Sequence, residues 1–258
     1  MNQQDMTDRV AIVTGGSDGI GRATSEMLAS RGAHVVILAR GMEKLEATRD
    51  AIKAAGGSAE IHSVDLTDAE AYGALVETIA SDHGRLDMLV NNAMSVHYGP
   101  LDHLKMEHWR KDFAVNADAV FAGTRSAIIA MRKCGGGSIV NVSSTTAIRA
   151  APFMSSYSAS KAAMIQFSAV AAMETARDNI RVNCVVPGQV QTAANEDYAS
   201  KAPELAEKTV AAIPMGRGGL PTELAQSIVF LLSDASAYIT GVALPVDGGK
   251  SAQLYLPS

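Results

Sequence analysis

The chain is poor in cysteine, has no basic tract and has no long apolar run, and each shortage removes a class of protein. Cys134 and Cys184 stand fifty residues apart with no CxxC and no histidine nearby at metal-ligand spacing, so neither a disulfide framework nor a thiolate metal site is expected. Both are expected to be reduced, with Cys184, inside the run Val182-Asn183-Cys184-Val185-Val186, serving as a small core residue. A net charge of −5 without a cluster of Lys and Arg gives no footprint for a polyanion, and nucleic acid is not an expected partner. No stretch approaches the ~18 apolar residues of a membrane span. The first residues lack the basic-then-apolar order of a signal peptide, so no membrane association and a cytoplasmic location are expected.

No Pro/Gly/Ser-rich linker, repeat or shift in composition divides the chain, and 258 residues suit one large domain over 1–258. Hydrophobic residues at 47% and charged residues at 19% are an ordinary globular mix, which excludes disorder, collagen and coiled coil. Short β-branched runs at 9–14, 34–39, 59–64, 86–91, 138–143, 180–186 and 242–246 alternate with Ala- and Leu-rich segments of helical period, such as Ala71, Leu75, Val76 and Ile79. That alternation predicts an α/β fold, a doubly wound Rossmann-type parallel sheet of about seven strands with helices on both faces. Several runs are continuously apolar, as strands covered on both faces should be. Ligands in such sheets bind beyond the carboxyl ends of the strands, where strand order reverses.

Directly after the first strand comes Thr14-Gly15-Gly16-Ser17-Asp18-Gly19-Ile20-Gly21, with a helix behind it. Glycines there permit a tight turn and close backbone approach, and the helix start offers N–H groups and a dipole to a pyrophosphate. The spacing is G-x-x-x-G-x-G and not G-x-G-x-x-G, and an ordinary Gly-rich turn is the competing interpretation. The second strand ends in Ala39-Arg40 where an acidic residue would bind a ribose 2′-hydroxyl. Arg40 therefore favours NADP(H) over NAD(H), against which stand a merely solvated Arg40 and the negative charge of Asp18.

Tyr157 and Lys161 lie four apart on a helix expected to run to about residue 177, so they share one face. An ammonium beside a phenol favours its ionised form and makes it a usable acid and base. Ser144, at the carboxyl edge of the preceding strand, can hydrogen-bond a substrate oxygen on which charge develops. Taken singly, Ser144 is a turn residue and Asn116 a buried amide satisfying backbone groups.

Together these residues resemble the short-chain dehydrogenases/reductases of roughly 250 residues. The resemblance runs from Val10 to about Gly249. It rests on Thr14-Gly15-x-x-x-Gly19-x-Gly21, Asp65, Asn91-Asn92-Ala93, Asn116, Ser144, Tyr157, Lys161 and Pro187-Gly188, in that order. It implies Tyr157 as general acid/base, Lys161 as its pKa-lowering partner and nicotinamide-ribose ligand, Ser144 as orienter of the carbonyl, and Asn116 as holder of a relay water. It also implies a dinucleotide held by Gly15, Ser17, Asp18, Gly19, Ile20, Gly21 and Arg40, with Asp65 and Leu66 near the adenine and Asn92 near the adjacent ribose. Pro187 and Gly188 would also bind the cofactor, and Val190 and Thr192 would contact the nicotinamide carboxamide. Hydride transfer of this kind needs no metal. Family members usually read Asn-Asn-Ala-Gly where this chain has Met94; methionine there fills a core gap, the preferred view, or narrows the substrate cavity.

Loops 94–100, 145–155 and 189–215 are the candidates for substrate choice, the last as the main substrate loop. Their inward candidates Met94, Val96, Ala147, Phe153, Met154 and Val190 suggest a mostly apolar pocket for a small or medium ketone or secondary alcohol. Asn195-Glu196-Asp197-Tyr198 is the start of a closing helix or a solvated surface. The 3-oxoacyl-carrier-protein (or CoA) reductases are the alternative. Their carrier docking needs exposed Arg where this chain has Gly135 and Asp178, although Arg132, Lys133 and Arg177 lie close by. A non-catalytic cofactor-binding regulator is disfavoured because Tyr157, Lys161, Ser144 and Asn116 are all present. The resemblance further implies a homotetramer or homodimer through segments 103–132 and 155–178, with the tail from Ser251 covering a neighbour or fraying.

Overall fold

A computed structural model describes residues 5–193, 195, 200 and 203–254. Seven parallel strands form one sheet: β1 Val10–Thr14, β2 His34–Ala39, β3 Ser58–Ser63, β4 Met88–Asn91, β5 Gly137–Val142, β6 Ile180–Pro187 and β7 Ala243–Val246, in the order β3-β2-β1-β4-β5-β6-β7. The helices that matter below are α1 Gly19–Ser30, α2 Met42–Ala54, α3 Ala69–Asp82, α4 Met106–Phe113, α5 Ala119–Lys133, α6 Ser155–Thr175, α7 Pro203–Ala211 and α8 Pro221–Leu232. Among the described residues no helix is long and apolar enough to cross a membrane.

The alternation within β2 explains why the sheet is central. Val35 and Ile37 pack with Leu28, Leu224 and Ile228 in one apolar layer, while Val36 and Leu38 pack with Tyr72, Val76 and Ile79 in the other. All four strand residues are fully buried, so a continuously apolar strand is one that must be covered twice. Helices α1 and α8 lie together on one face, α3 and α5 on the other.

Strand order reverses between β1 and β4, so their carboxyl ends open the crevice that this topology reserves for ligands. Thr14 closes it from beneath: its hydroxyl donates to Val90 O at 3.3 Å and accepts from the N–H groups of Asn92 and Ala93 at 2.9 and 3.1 Å. The expected helix over 103–132 is interrupted. Five residues, Ala114–Asp118, form a π-helical turn between α4 and α5, a local widening often found at functional sites, and Asn116 sits within it, fully buried. Strand boundaries shift by no more than two residues from those expected.

Candidate active site

The loop after β1 owes its shape to two glycines. Gly15 adopts φ +62, and a Cβ on Gly21 would lie 2.1 Å from the Gly15 carbonyl oxygen, so neither position accepts a side chain without rebuilding the turn. Asp18 caps α1 by accepting from Gly19 N at 2.8 Å. Its carboxylate also meets Lys44 Nζ of α2 at 2.5 Å, and that hydrogen bond holds the Asp18 carboxyl below its ordinary range. The negative charge that weighed against a phosphate is thereby matched by a cation. Asn92 braces the loop from β4, donating through Nδ2 to the carbonyls of Thr14 and Gly15 at 2.9 and 3.3 Å.

A cavity of about 500 Å³ opens beyond β1, β2 and β4. It brings together Gly15, Ser17, Arg40, Asp65, Leu66, Met94 and Val96 from the expected set, and adds Ser95, His97 and Lys111. Arg40 is exposed at this wall and makes no salt bridge among the described residues. Asp65 accepts from Thr67 N at 3.0 Å, and that bond keeps its carboxyl below the usual range. Ile20 lies in the first turn of α1 beside the loop, and Thr192 stands over Gly19, where a Cβ would come within 3.1 Å of its Cγ2. Pro187 ends β6; a Cβ on the following Gly188 would meet Asp247, and Val190 is buried and bridges to Gly219. Phe153 is not brought to the cavity: it is 61% exposed with φ +68. Residues 196–198 of the expected closing helix and 255–258 of the tail lie outside the described residues.

Tyr157 and Lys161 do share one face of α6, and both are buried. The Tyr157 hydroxyl donates to Met94 Sδ at 3.7 Å, and Ser144 acts to lower its pKa. Met94 is 55% exposed, so it fills no core gap; following the end of β4, it lies over the Tyr157 hydroxyl at the cavity wall. Lys161 Nζ donates to Val142 O at 2.7 Å and stands 5.9 Å from the centre of the Tyr157 ring. Burial dominates both groups. It pushes the Tyr157 phenol up to about 12 against the opposing effect of Ser144, and pushes Lys161 down to about 7. Asn116 donates through Nδ2 to Ser95 O at 2.7 Å and Ser160 Oγ at 3.0 Å, and accepts from Ser95 N at 3.0 Å. It ties the loop after β4 to the helix that carries Tyr157.

Residues 15–251 match the family model described as Enoyl-(Acyl carrier protein) reductase. The chain is 37% identical over 246 residues to a 2,5-dichloro-2,5-cyclohexadiene-1,4-diol dehydrogenase of Sphingobium indicum, covering 95% of this chain and 97% of that one. It is 38% identical over 241 residues to the 3-oxoacyl-[acyl-carrier-protein] reductase of Thermotoga maritima, covering 93% and 97%. The chain is a short-chain dehydrogenase/reductase. Among solved structures, one assigned as an NAD(P)-dependent gluconate 5-dehydrogenase from Beutenbergia cavernae, with NADP bound at low occupancy, superposes with a TM-score of 0.93 at 35% identity, over 98% of this chain and 100% of that one. As a member of this family the protein is an NAD(P)-dependent oxidoreductase acting on a CH–OH group. The bare Gly15–Gly21 turn, the helix start behind it and Asp65 are chemically suited to such a dinucleotide.

Beside this dehydrogenase site lies a hub that sequence reasoning missed. Asp112 of α4 is fully buried and accepts four bonds: from Ser95 Oγ at 2.8 Å, His97 N at 3.2 Å, His97 Nδ1 at 2.7 Å and Ser156 Oγ at 2.5 Å. His97 in turn stacks on His108 at 4.3 Å between ring centres. One carboxylate thus fixes the cavity loop against the residue preceding Tyr157. A lone Asp on the polar-looking segment Met106–Phe113 gives no hint of this, because its partners come from two distant stretches, the loop after β4 and the start of α6. Cys184 is buried as expected, and its Sγ also donates to Ser168 Oγ at 3.2 Å.

Proposed function

We propose that this enzyme uses NADP(H) to interconvert a small or medium ketone and its secondary alcohol, with Tyr157 exchanging the proton. The observation that carries this reading is the buried Tyr157 hydroxyl, which adjoins the cavity wall at Met94 and whose pKa Ser144, at the carboxyl edge of the sheet, acts to lower. When bound, the dinucleotide supplies or accepts the hydride. In the reductive direction Tyr157 gives its proton to the carbonyl oxygen as negative charge develops there, and Ser144 Oγ orients that oxygen by a hydrogen bond. Lys161, once protonated, opposes the burial that keeps the phenol neutral. Asn116, in its widened turn, holds the inner end of the proton path behind Lys161. Met94 and Val96 bound the substrate side with apolar surface, whereas the outward-facing Phe153 supports no such role in the described residues.

The preference for NADP(H) rests on Arg40, exposed at the cavity wall without a salt bridge among the described residues, and on Lys44, whose charge offsets Asp18. The carrier-protein alternative is weakened at its docking face, where Asp178 takes Arg132 into an ion pair at 2.7 Å. We read 1–258 as one catalytic domain with 189–215 as its substrate loop. The outward apolar side chains Phe121, Val170 and Met173 of α5 and α6 favour a homodimer or homotetramer built on those helices. Two free thiols suit the reducing cytoplasm. The reading is tested by following NADPH and NADH oxidation with cyclic and linear ketones and a 3-oxoacyl thioester. Turnover of ketones with NADPH favoured is expected; turnover of the thioester alone, or a clear NADH preference, would overturn the substrate or the cofactor half respectively.

A further inference from the structure

The amino-terminal side of the sheet carries a cluster that the dehydrogenase chemistry does not use. On the edge strand β3, Ser58, Glu60 and His62 alternate with Ala59 and Ile61, so they share one face. Ala59 and Ile61 join the apolar layer on the opposite side, which leaves the polar three on the α3 side. His34, the first residue of β2, pairs in register with Ser58, and His83 is the C-cap of α3. Three elements therefore deliver imidazoles to one carboxylate.

The ligand atoms lie near one another, close to the separations of a coordination shell. His83 Nε2 lies 3.2 Å and His62 Nε2 3.3 Å from Glu60 Oε1, and His34 Nε2 lies 3.7 Å from Glu60 Oε2. The ligand atoms of His34, Glu60 and His83 all fall within 4.8 Å of one another, the sole such trio of His, Cys, Asp or Glu among the described residues. A tetrahedral ion with bonds of about 2.0–2.2 Å separates its ligand atoms by roughly 3.3–3.6 Å. An independent observation points the same way. His34 Nε2 is a buried atom without a hydrogen-bond partner, while its Nδ1 is 2.7 Å from Ser58 Oγ. An imidazole fixed through Nδ1 by a second group and presenting a bare Nε2 is the usual arrangement of a metal-bound histidine.

We propose that His34 Nε2, the Glu60 carboxylate and His83 Nε2 bind a divalent transition-metal ion of the zinc type, with water in the fourth position. Two imidazoles and a carboxylate without thiolate suit Zn²⁺ and its neighbours in the series better than Ca²⁺ or Mg²⁺. The ion would clip β2 and the edge strand β3 to the end of α3. Its place, at the start of β2 and the end of α3, is away from the carboxyl-edge crevice, so its role is structural and leaves hydride transfer untouched.

The test uses tag-free, full-length protein stripped with EDTA and titrated with zinc sulfate by calorimetry, with thermal unfolding read in parallel. One ion per chain is expected, with a rise in Tm of about 5–10 °C at ~100-fold excess over Kd. His83→Gln and Glu60→Gln are each expected to weaken binding at least tenfold, whereas His103→Gln leaves it unchanged. His34→Gln serves as a third variant should either of the first two lose its native circular dichroism. Absence of saturable binding up to 100-fold molar excess of zinc would overturn the proposal, leaving a hydrogen-bonded ion-pair cluster. Stoichiometric binding that survives His83→Gln and Glu60→Gln would overturn it equally, and would move the ion to the His97 and His108 pair.

Discussion

Lys161 predicts opposite outcomes for stability and for activity when it is replaced by methionine. Unfolded, its ammonium titrates near 10.5; buried, near 7. Between those values the unfolded chain holds a proton that the folded chain releases, so the lysine opposes folding. The opposition is absent above pH 10.5, grows as pH falls, and is constant below about pH 7. Each pH unit in that window is worth about 1.4 kcal/mol, which puts the full penalty on the order of 4 kcal/mol at pH 7. Methionine carries no such penalty but deprives the Val142 carbonyl of its donor, at a cost of about 1–3 kcal/mol. Lys161→Met is therefore expected to be more stable than the unsubstituted chain at pH 7 by roughly 1–3 kcal/mol, and to have lost turnover. The lost bond and the changed packing do not depend on pH. Hence the difference between the two proteins should shrink by about 1.4 kcal/mol per unit from pH 7 to pH 9, read by urea denaturation of both at three pH values. A difference that stays flat with pH would refute the argument that burial sets the state of this lysine.

Three further substitutions test other parts of the site. Tyr157→Phe should lower kcat by about 10²- to 10⁴-fold while NADPH binding, measured by fluorescence titration, is retained. Arg40→Ala should raise the KM for NADPH by roughly 10- to 100-fold with little change for NADH, as expected for a lost charge-assisted bond to a 2′-phosphate. Asp112→Ala leaves four donors facing a void, so chemical denaturation should show a loss of roughly 3–5 kcal/mol.

What the sequence made legible was what lies close along the chain or repeats with a period. The doubly apolar strand His34–Ala39 appears with its expected bounds, because burial on both faces leaves an unbroken β-branched run. The glycine turn, Tyr157 and Lys161, and the residues closing β4 and β5 also fall at the expected edge, since parallel topology sends every strand's carboxyl end to one side. What stayed hidden depends on three-dimensional closure. Asp112 reaches Ser95, His97 and Ser156, up to 44 positions away, and no local pattern announces it. The π-turn at Asn116 breaks a helix whose composition is continuous. The expectation for Met94 failed because its side chain turns outward to the Tyr157 hydroxyl and not into the core. For Lys161 the residue was identified but its balance was not: helix spacing shows an ammonium near a phenol, whereas only the fold shows that burial outweighs their attraction.

The direct test of the central claim is the destination of the hydride and its dependence on one hydroxyl. The protein would be incubated with a ketone that it turns over and NADPH carrying deuterium at the transferable C4 position, and the product analysed by mass spectrometry and NMR. The account predicts a single deuterium on the carbinol carbon, at least a hundredfold less of it with Tyr157→Phe at equal cofactor saturation. Label on a carbon of a reduced C=C bond, or an undiminished yield without the Tyr157 hydroxyl, would contradict it.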